Sequence, residues 1–174
     1  IGAYAFMGCS SLEKVVFDGL GVTTLNEGVF YNCISLKTLG NNDYSNNVVN
    51  IIESISSIKD YAFFNNISIS EMIIPNSVIE VGVGILGGTK NLTSLTIPFI
   101  GSSRKDACKY SDSLINDGSD MVLGYLFGYS DTWPSLYSLD NLYKLTQYYS
   151  KNNFVVSYVP RSLTNINLTD TAVI

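Results

Sequence analysis

A phrase that recurs at nearly constant spacing constrains this chain more than any other feature. Ile1, Leu25, Ile58 and Val81 are each followed five residues later by Phe6, Phe30, Phe63 and Leu86. Three residues further on come Cys9, Cys33, Asn66 and Thr89, then Leu12, Leu36, Ile69 and Leu92, then Val15, Leu39, Met72 and Leu95. The copies begin 24, 33 and 23 residues apart. The long spacing contains the polar run 41–47, which assigns 40–50 to a loop insertion. A partial fifth copy closes the chain, where Ser162-Leu-Thr-Asn-Ile-Asn-Leu168 superimposes on Asn91-Leu-Thr-Ser-Leu-Thr-Ile97. A unit this short cannot bury its apolar side alone, so sequence-adjacent units must supply one another's core.

Units of about 23 residues with a Leu-x-x-Leu-x-Leu core fall in the leucine-rich repeat range. The expected fold is therefore a leucine-rich-repeat right-handed solenoid, mostly β, with short helical or irregular segments and one short strand per unit. Alternation along such strands turns Val15 and Phe17, Met72 and Ile74, and Leu95 and Ile97 inward. Pro75 and Pro98 end two of the strands. The outward positions form two rows, Lys14, Thr38, Glu71, Ser94 and Asn165, then Val16, Gly40, Ile73, Thr96 and Asn167. Solenoids use such rows as extended binding surfaces.

The wording is more specific than the leucines. Two stretches carry it, Ile1-Gly-Ala-Tyr-Ala-Phe-Met-Gly-Cys-Ser-Ser-Leu-Glu-Lys-Val15 and Ile58-Lys-Asp-Tyr-Ala-Phe-Phe-Asn-Asn-Ile-Ser-Ile-Ser-Glu-Met-Ile-Ile-Pro75. Both closely resemble BspA-type leucine-rich repeats, in which Ala-Phe-x-x-Cys-x-x-Leu precedes each strand. The resemblance covers residues 1–98 and 159–174. It departs at Val29, which replaces Ala, and at Ile85-Leu86 and Thr89, which replace Ala-Phe and Cys. These changes roughly conserve size at positions expected to be buried.

The domain plan that follows is four repeats over 1–98, a non-repeat insertion over 99–158 and the start of a fifth repeat over 159–174. The chain begins with Ile1 and is read as a piece of a longer protein. Pro98-Phe-Ile-Gly101, Leu123-Gly-Tyr-Leu-Phe-Gly128 and Tyr158-Val-Pro-Arg-Ser-Leu163 are similar to an insertion that recurs in bacterial members of the family. Within it, Thr146–Tyr149 and Phe154–Tyr158 around Ser-Lys-Asn-Asn read as a hairpin. Leu136, Leu139 and Tyr143 suggest a short helix.

Composition narrows the chemistry. The chain has no histidine, which removes Ser-His-Asp and Cys-His arrangements and imidazole-bound zinc. Its net charge of −5 disfavours nucleic acid and anionic membrane, and no apolar run reaches the length of a membrane span. Gly82-Val-Gly-Ile-Leu-Gly87 spells a dinucleotide fingerprint, but it occupies repeat columns and leads into a strand rather than a helix. Cys9 and Cys33 share a column on adjacent units, within possible disulfide distance, and are read as buried free thiols acting as small hydrophobes, with a disulfide as the alternative. Cys108 has no visible base, Asp112, Asp117 and Asp120 fail the calcium-loop spacing, and Glu13 with Glu71 lie in different units. No catalytic residue, cofactor or metal is expected.

Aromatics are unevenly placed. Seven of the twelve tyrosines fall between Tyr125 and Tyr158, with Trp133 among them. Most are expected to build the insertion's own core, leaving Tyr129, Trp133 and Tyr137 as exposed rings. The functional expectation is a non-enzymatic module that binds a protein partner through the strand face, at Lys14, Val16, Thr38, Glu71, Ile73, Ser94, Thr96, Asn165 and Asn167. The resemblance implies a bacterial surface-exposed or secreted protein acting in adhesion to host proteins such as fibronectin and fibrinogen, or in coaggregation. Alternatives are glycan binding by the tyrosine-rich insertion, or a structural stalk for another domain.

Overall fold

The structure, a computed structural model, describes residues 1–19, 21–40, 48–105, 122–129, 138–149 and 151–170. Successive units are joined by three columns of backbone hydrogen bonds. The first is a parallel sheet of six strands in the order β1 (Lys14–Val16), β3 (Thr38–Gly40), β4 (Val48–Asn50), β6 (Glu71–Ile73), β8 (Ser94–Ile97) and β11 (Asn165–Leu168). The second joins β2 (Thr24–Leu25), β5 (Ser57–Ile58) and β7 (Glu80–Val81), also in parallel. In the third, the turns carrying the Ala-Phe phrase stack. The Phe6 N–H donates to Val29 O at 3.0 Å, Phe30 to Ala62 O at 2.9 Å and Phe63 to Ile85 O at 3.1 Å.

The repeat columns explain this stacking. Phe6, Phe30 and Phe63 pile face to face, with centroids 5.4 and 5.5 Å apart. Leu36, Leu39, Ile69, Met72, Leu92 and Leu95 are fully buried beneath the first sheet. Tyr4, Gly28, Tyr61 and Gly84 share one turn position, all with positive φ between 55° and 66°. Tyrosine and glycine alternate there for a steric reason. A Cβ on Gly28 would lie 2.2 Å from the Tyr4 ring, and one on Gly84 would lie 2.8 Å from the Tyr61 ring. Each ring therefore fills the space that the glycine of the following unit leaves open. Gly82 through Gly87 thus serve turn packing, and residues 83–88 form turns with no helix beginning there.

The cysteine column is a donor column as well as a small one. Cys33 Sγ donates to Phe6 O at 3.0 Å, Asn66 Nδ2 to Phe30 O at 2.9 Å, and Thr89 Oγ1 to Leu86 O at 2.7 Å. That shared chemistry accounts for Asn and Thr replacing Cys, which size alone does not. Cys9 and Cys33 are both free thiols; Cys33 is buried, whereas Cys9 is exposed, contrary to the expectation of a buried pair.

Two further expectations are corrected. Residues 40–50 are not one loop, because Gly40 ends β3 and Val48–Asn50 forms β4, paired with both β3 and β6. Residues 41–47 lie outside the described residues. The long repeat therefore adds a strand to the first sheet without adding one to the second, where β2 pairs directly with β5. Tyr143 lies in a strand rather than a helix: β9 (Leu142–Tyr148) and β10 (Phe154–Pro160) form an antiparallel hairpin. Leu136 lies outside the described residues.

Residues expected to start an insertion continue the packing of the repeats. Val81 N–H donates to Ser102 O, and Arg104 N–H to Ile79 O. A single helical turn, α1 (Gly124–Phe127), stacks on the fourth turn, with Gly84 N–H donating to Tyr125 O and Leu86 N–H to Leu126 O. Leu126 and Phe127 are fully buried. Arg104 then clasps the end of the stack. Its guanidinium pairs with Asp170 at 2.6 Å, donates to the carbonyls of Asn76 and Val78, and lies 5.9 Å from the Phe99 ring centroid.

Phe63→Ala removes the ring stacked on Phe30, and should lower unfolding free energy by about 3–5 kcal/mol in denaturant titration. Burial pushes the Cys33 thiol up from 9.0 to about 11. Because the folded state holds that proton more tightly, its contribution to stability is complete below pH 9 and is lost as pH rises from 9 to 11. In a Cys108→Ser background at pH 8, a disulfide reagent should therefore label Cys9 quickly, and label Cys33 only at the rate of unfolding.

Candidate binding surface

The outward rows of the first sheet are set by register. Lys14 aligns with Thr38, Val48 with Glu71, Glu71 with Ser94, and Ser94 with Asn165. In the second row Val16 aligns with Gly40, Asn50 with Ile73, Ile73 with Thr96, and Thr96 with Asn167. Val48 and Asn50 are additions that the repeat pattern does not reveal. Their one sign in the sequence is the pair Val48-Val49 after a polar run, with no Ala-Phe phrase before it.

Burial divides this face. Thr38 and Val48 retain 8% and 9% of their exposure, and Gly40 is buried too. Thr38 and Gly40 are therefore not available to a partner in this structure. Lys14 and Val16, both exposed, lie on the far side of β3 and of the covered Val48, while Asn50 on β4 is part-exposed beside Ile73. Glu71, Ile73, Ser94, Thr96, Asn165 and Asn167 form an accessible patch on β6, β8 and β11. Three strand steps of about 4.8 Å put Lys14 about 14 Å from Glu71. The same separation leaves Glu13 and Glu71 too far apart for paired-carboxylate hydrolysis, and Glu13 faces Lys37 at 3.7 Å.

The accessible patch is built on a ladder of short polar side chains. Thr93 Oγ1 donates to Ser70 O at 2.8 Å, Thr164 Oγ1 to Thr93 O at 3.4 Å, and Asn165 Nδ2 to Ser94 Oγ at 3.2 Å. Each bond ties one unit to the one before it, and so holds the outward side chains of neighbouring strands in register. The patch offers one carboxylate, one aliphatic side chain and four hydroxyl or amide groups. That chemistry suits hydrogen bonding to a partner rather than covalent or metal-assisted reaction. Among the described residues no three His, Cys, Asp or Glu side chains gather as a metal site.

Tyr129 is half-buried, edge-on to Tyr125 at 6.4 Å and bridged through its backbone to Ser157, so it is not the exposed ring expected. Trp133, Tyr137, Cys108, Asp112, Asp117 and Asp120 lie outside the described residues. Among the described residues of this stretch the exposed rings are Tyr143, Tyr148 and Phe154. Their hairpin is legible in the sequence, but its outward face is not.

Among the described residues no helix is long and apolar enough to cross a membrane. No curated relative and no solved structure matches the chain. A family model described as the BspA type leucine rich repeat region matches in six copies over residues 1–111, running past Pro98 into the stretch packed against β7. Leucine-rich repeats are in general modules of protein interaction that carry no chemistry of their own. The match spans well over half of the chain and contains the phenylalanine stack and the donor column, and this chain belongs to the BspA-type leucine-rich repeat family.

Proposed function

We infer that this chain is an adhesion module of a bacterial cell-surface or secreted protein, and that it binds a host or matrix protein through Glu71, Ile73, Ser94, Thr96, Asn165 and Asn167. The observation that carries this reading is the unbroken register of accessible side chains across β6, β8 and β11. Solvent-facing strand positions need only be polar to keep a sheet soluble. Here Ile73, central in the second row, remains half-exposed beside Thr96, giving an apolar contact ringed by hydrogen-bonding groups. That is the usual layout of a protein interface on a small scale. Lys14 and Val16 belong to the same sheet but are separated from this patch by the buried Thr38, Gly40 and Val48, so they contribute little to one continuous footprint.

The triple variant Glu71→Ala, Ile73→Ser, Thr96→Ala should weaken binding to immobilised fibronectin or fibrinogen by about tenfold or more. Its melting temperature should fall by no more than a few degrees, because none of the three is buried. The pair Lys14→Ala, Val16→Ser should leave affinity close to that of the unaltered chain. Surface plasmon resonance with thermal melts checks both, and unchanged affinity in the triple variant would remove the strand face as the site.

A further inference from the structure

Away from the strand face, aromatic area, positive charge and an uncovered surface coincide on the β9–β10 ribbon. Residues 142–161 carry three of the ten cationic side chains, Lys144, Lys151 and Arg161, and none of the fifteen acidic ones. The rest of the chain is correspondingly more acidic than its net charge of −5. The ribbon is thus the basic pole of an acidic molecule.

Register separates its two faces. Gln147 and Ser157 turn toward α1, where Gln147 Oε1 accepts from the Gly124 N–H at 2.7 Å and Ser157 Oγ donates to Gly124 O at 3.1 Å. On the opposite face Tyr148 pairs with Phe154, Thr146 with Val156, and Lys144 with Tyr158. Tyr148 and Phe154 remain 67% and 51% exposed, with centroids 5.4 Å apart and planes tilted by 53°. These rings stand at the tip of the ribbon and pack on one another, whereas its packing against the rest of the chain rests on Ser157 and, at the base, on Leu142 and Pro160. Lys144 and Lys151 are exposed, and neither pairs with a carboxylate among the described residues. Arg161 lies over the Tyr143 ring at 5.7 Å. Asp140, the nearest acid in sequence, accepts instead from Ser138 Oγ at 2.6 Å.

From this arrangement we propose that the outward face of the β9–β10 ribbon binds an acidic polysaccharide. Tyr148 and Phe154 stack against the apolar faces of the sugar rings, while Lys144 and Lys151, on either side of the pair, meet their carboxylates. Spacing of charge favours this occupant. Duplex nucleic acid carries a charge every ~1.7 Å of its axis and calls for a dense cationic track. The ribbon has isolated cations separated by rings, which suits a polymer with at most one charge per sugar. This site is separate from the strand face, so either assignment stands or falls without the other.

The test uses the intact chain with polygalacturonate, neutral dextran and anionic phosphatidylserine vesicles, by affinity electrophoresis and calorimetry. Polygalacturonate should bind and dextran should not, with affinity falling as salt is raised. The double variant Tyr148→Ser, Phe154→Ser should lose about tenfold in affinity with its melting temperature lowered by no more than a few degrees. Lys144→Ala with Lys151→Ala should lose a similar factor, and the strand-face triple variant should lose none. Four results overturn the assignment: no binding of polygalacturonate, equal binding of dextran, binding that survives loss of both rings, or ring-dependent binding of vesicles in place of the polysaccharide.

Discussion

The structure depends on one repeated interaction, the hydrogen bond from each Ala-Phe turn to the turn of the next unit. Phe6, Phe30 and Phe63 make it through their backbone N–H groups while their rings stack. The carbonyls of the same residues close the turns locally, accepting from Cys9, Cys33 and Asn66 N–H groups. A carbonyl has a second lone pair, and in a buried turn a further donor can fill it. Cys33 and Asn66 do so from the following unit, at Phe6 O and Phe30 O. The phrase Ala-Phe-x-x-Cys is therefore a reciprocal link between units. Phenylalanine reaches forward through its N–H, and the residue three places after its counterpart in the next unit reaches back.

That link explains which replacements the array absorbs. Leu86 replaces phenylalanine in the fourth unit and still donates, now to Leu126 O of α1. Thr89 replaces cysteine but turns its hydroxyl to Leu86 O within its own unit. The fourth turn so satisfies its own carbonyl, and α1 packs on it without carrying the repeat phrase. A short helical turn serves because the requirement is for accepting carbonyls and buried side chains at Leu126 and Phe127, not for particular wording.

The parts legible in the sequence are those in which one unit repeats another. Phe6, Leu12 and Val15 recur by column, so the inward side of the sheet and the outward rows both follow from counting. β4 escapes because it borrows its place from β3 and β6. Three residues with two valines carry no signal of their own, and the strand exists through hydrogen bonds to neighbours outside its own segment. The burial of Thr38 and Gly40 escapes with it, since alternation along a strand says which way a side chain points and nothing about what lies over it. In the hairpin, the pairing is legible from two aromatic and β-branched runs around Ser-Lys-Asn-Asn. Which face stays open is not, because that is decided by Gly124 meeting Gln147 and Ser157.

The added strand also shapes what the sheet can present. Between β3 and β6 the first sheet has an extra step that the second sheet lacks, and a strand step is about 4.8 Å. Equal spacing on both sides is therefore impossible over this stretch, and the first sheet must splay relative to the second. One-to-one stepping of the two sheets resumes at β6, where β5 and β7 match β6 and β8 with equal steps of 23 residues. In the first row the accessible positions begin at Glu71 on β6, the strand at which this mismatch ends, and in the second row Asn50 on β4 is already part-exposed beside Ile73. Matched stepping and an open face thus coincide on β6 and β8, and the open face continues onto β11 through the parallel register with β8, which favours the proposed footprint on this half of the sheet rather than across all six strands.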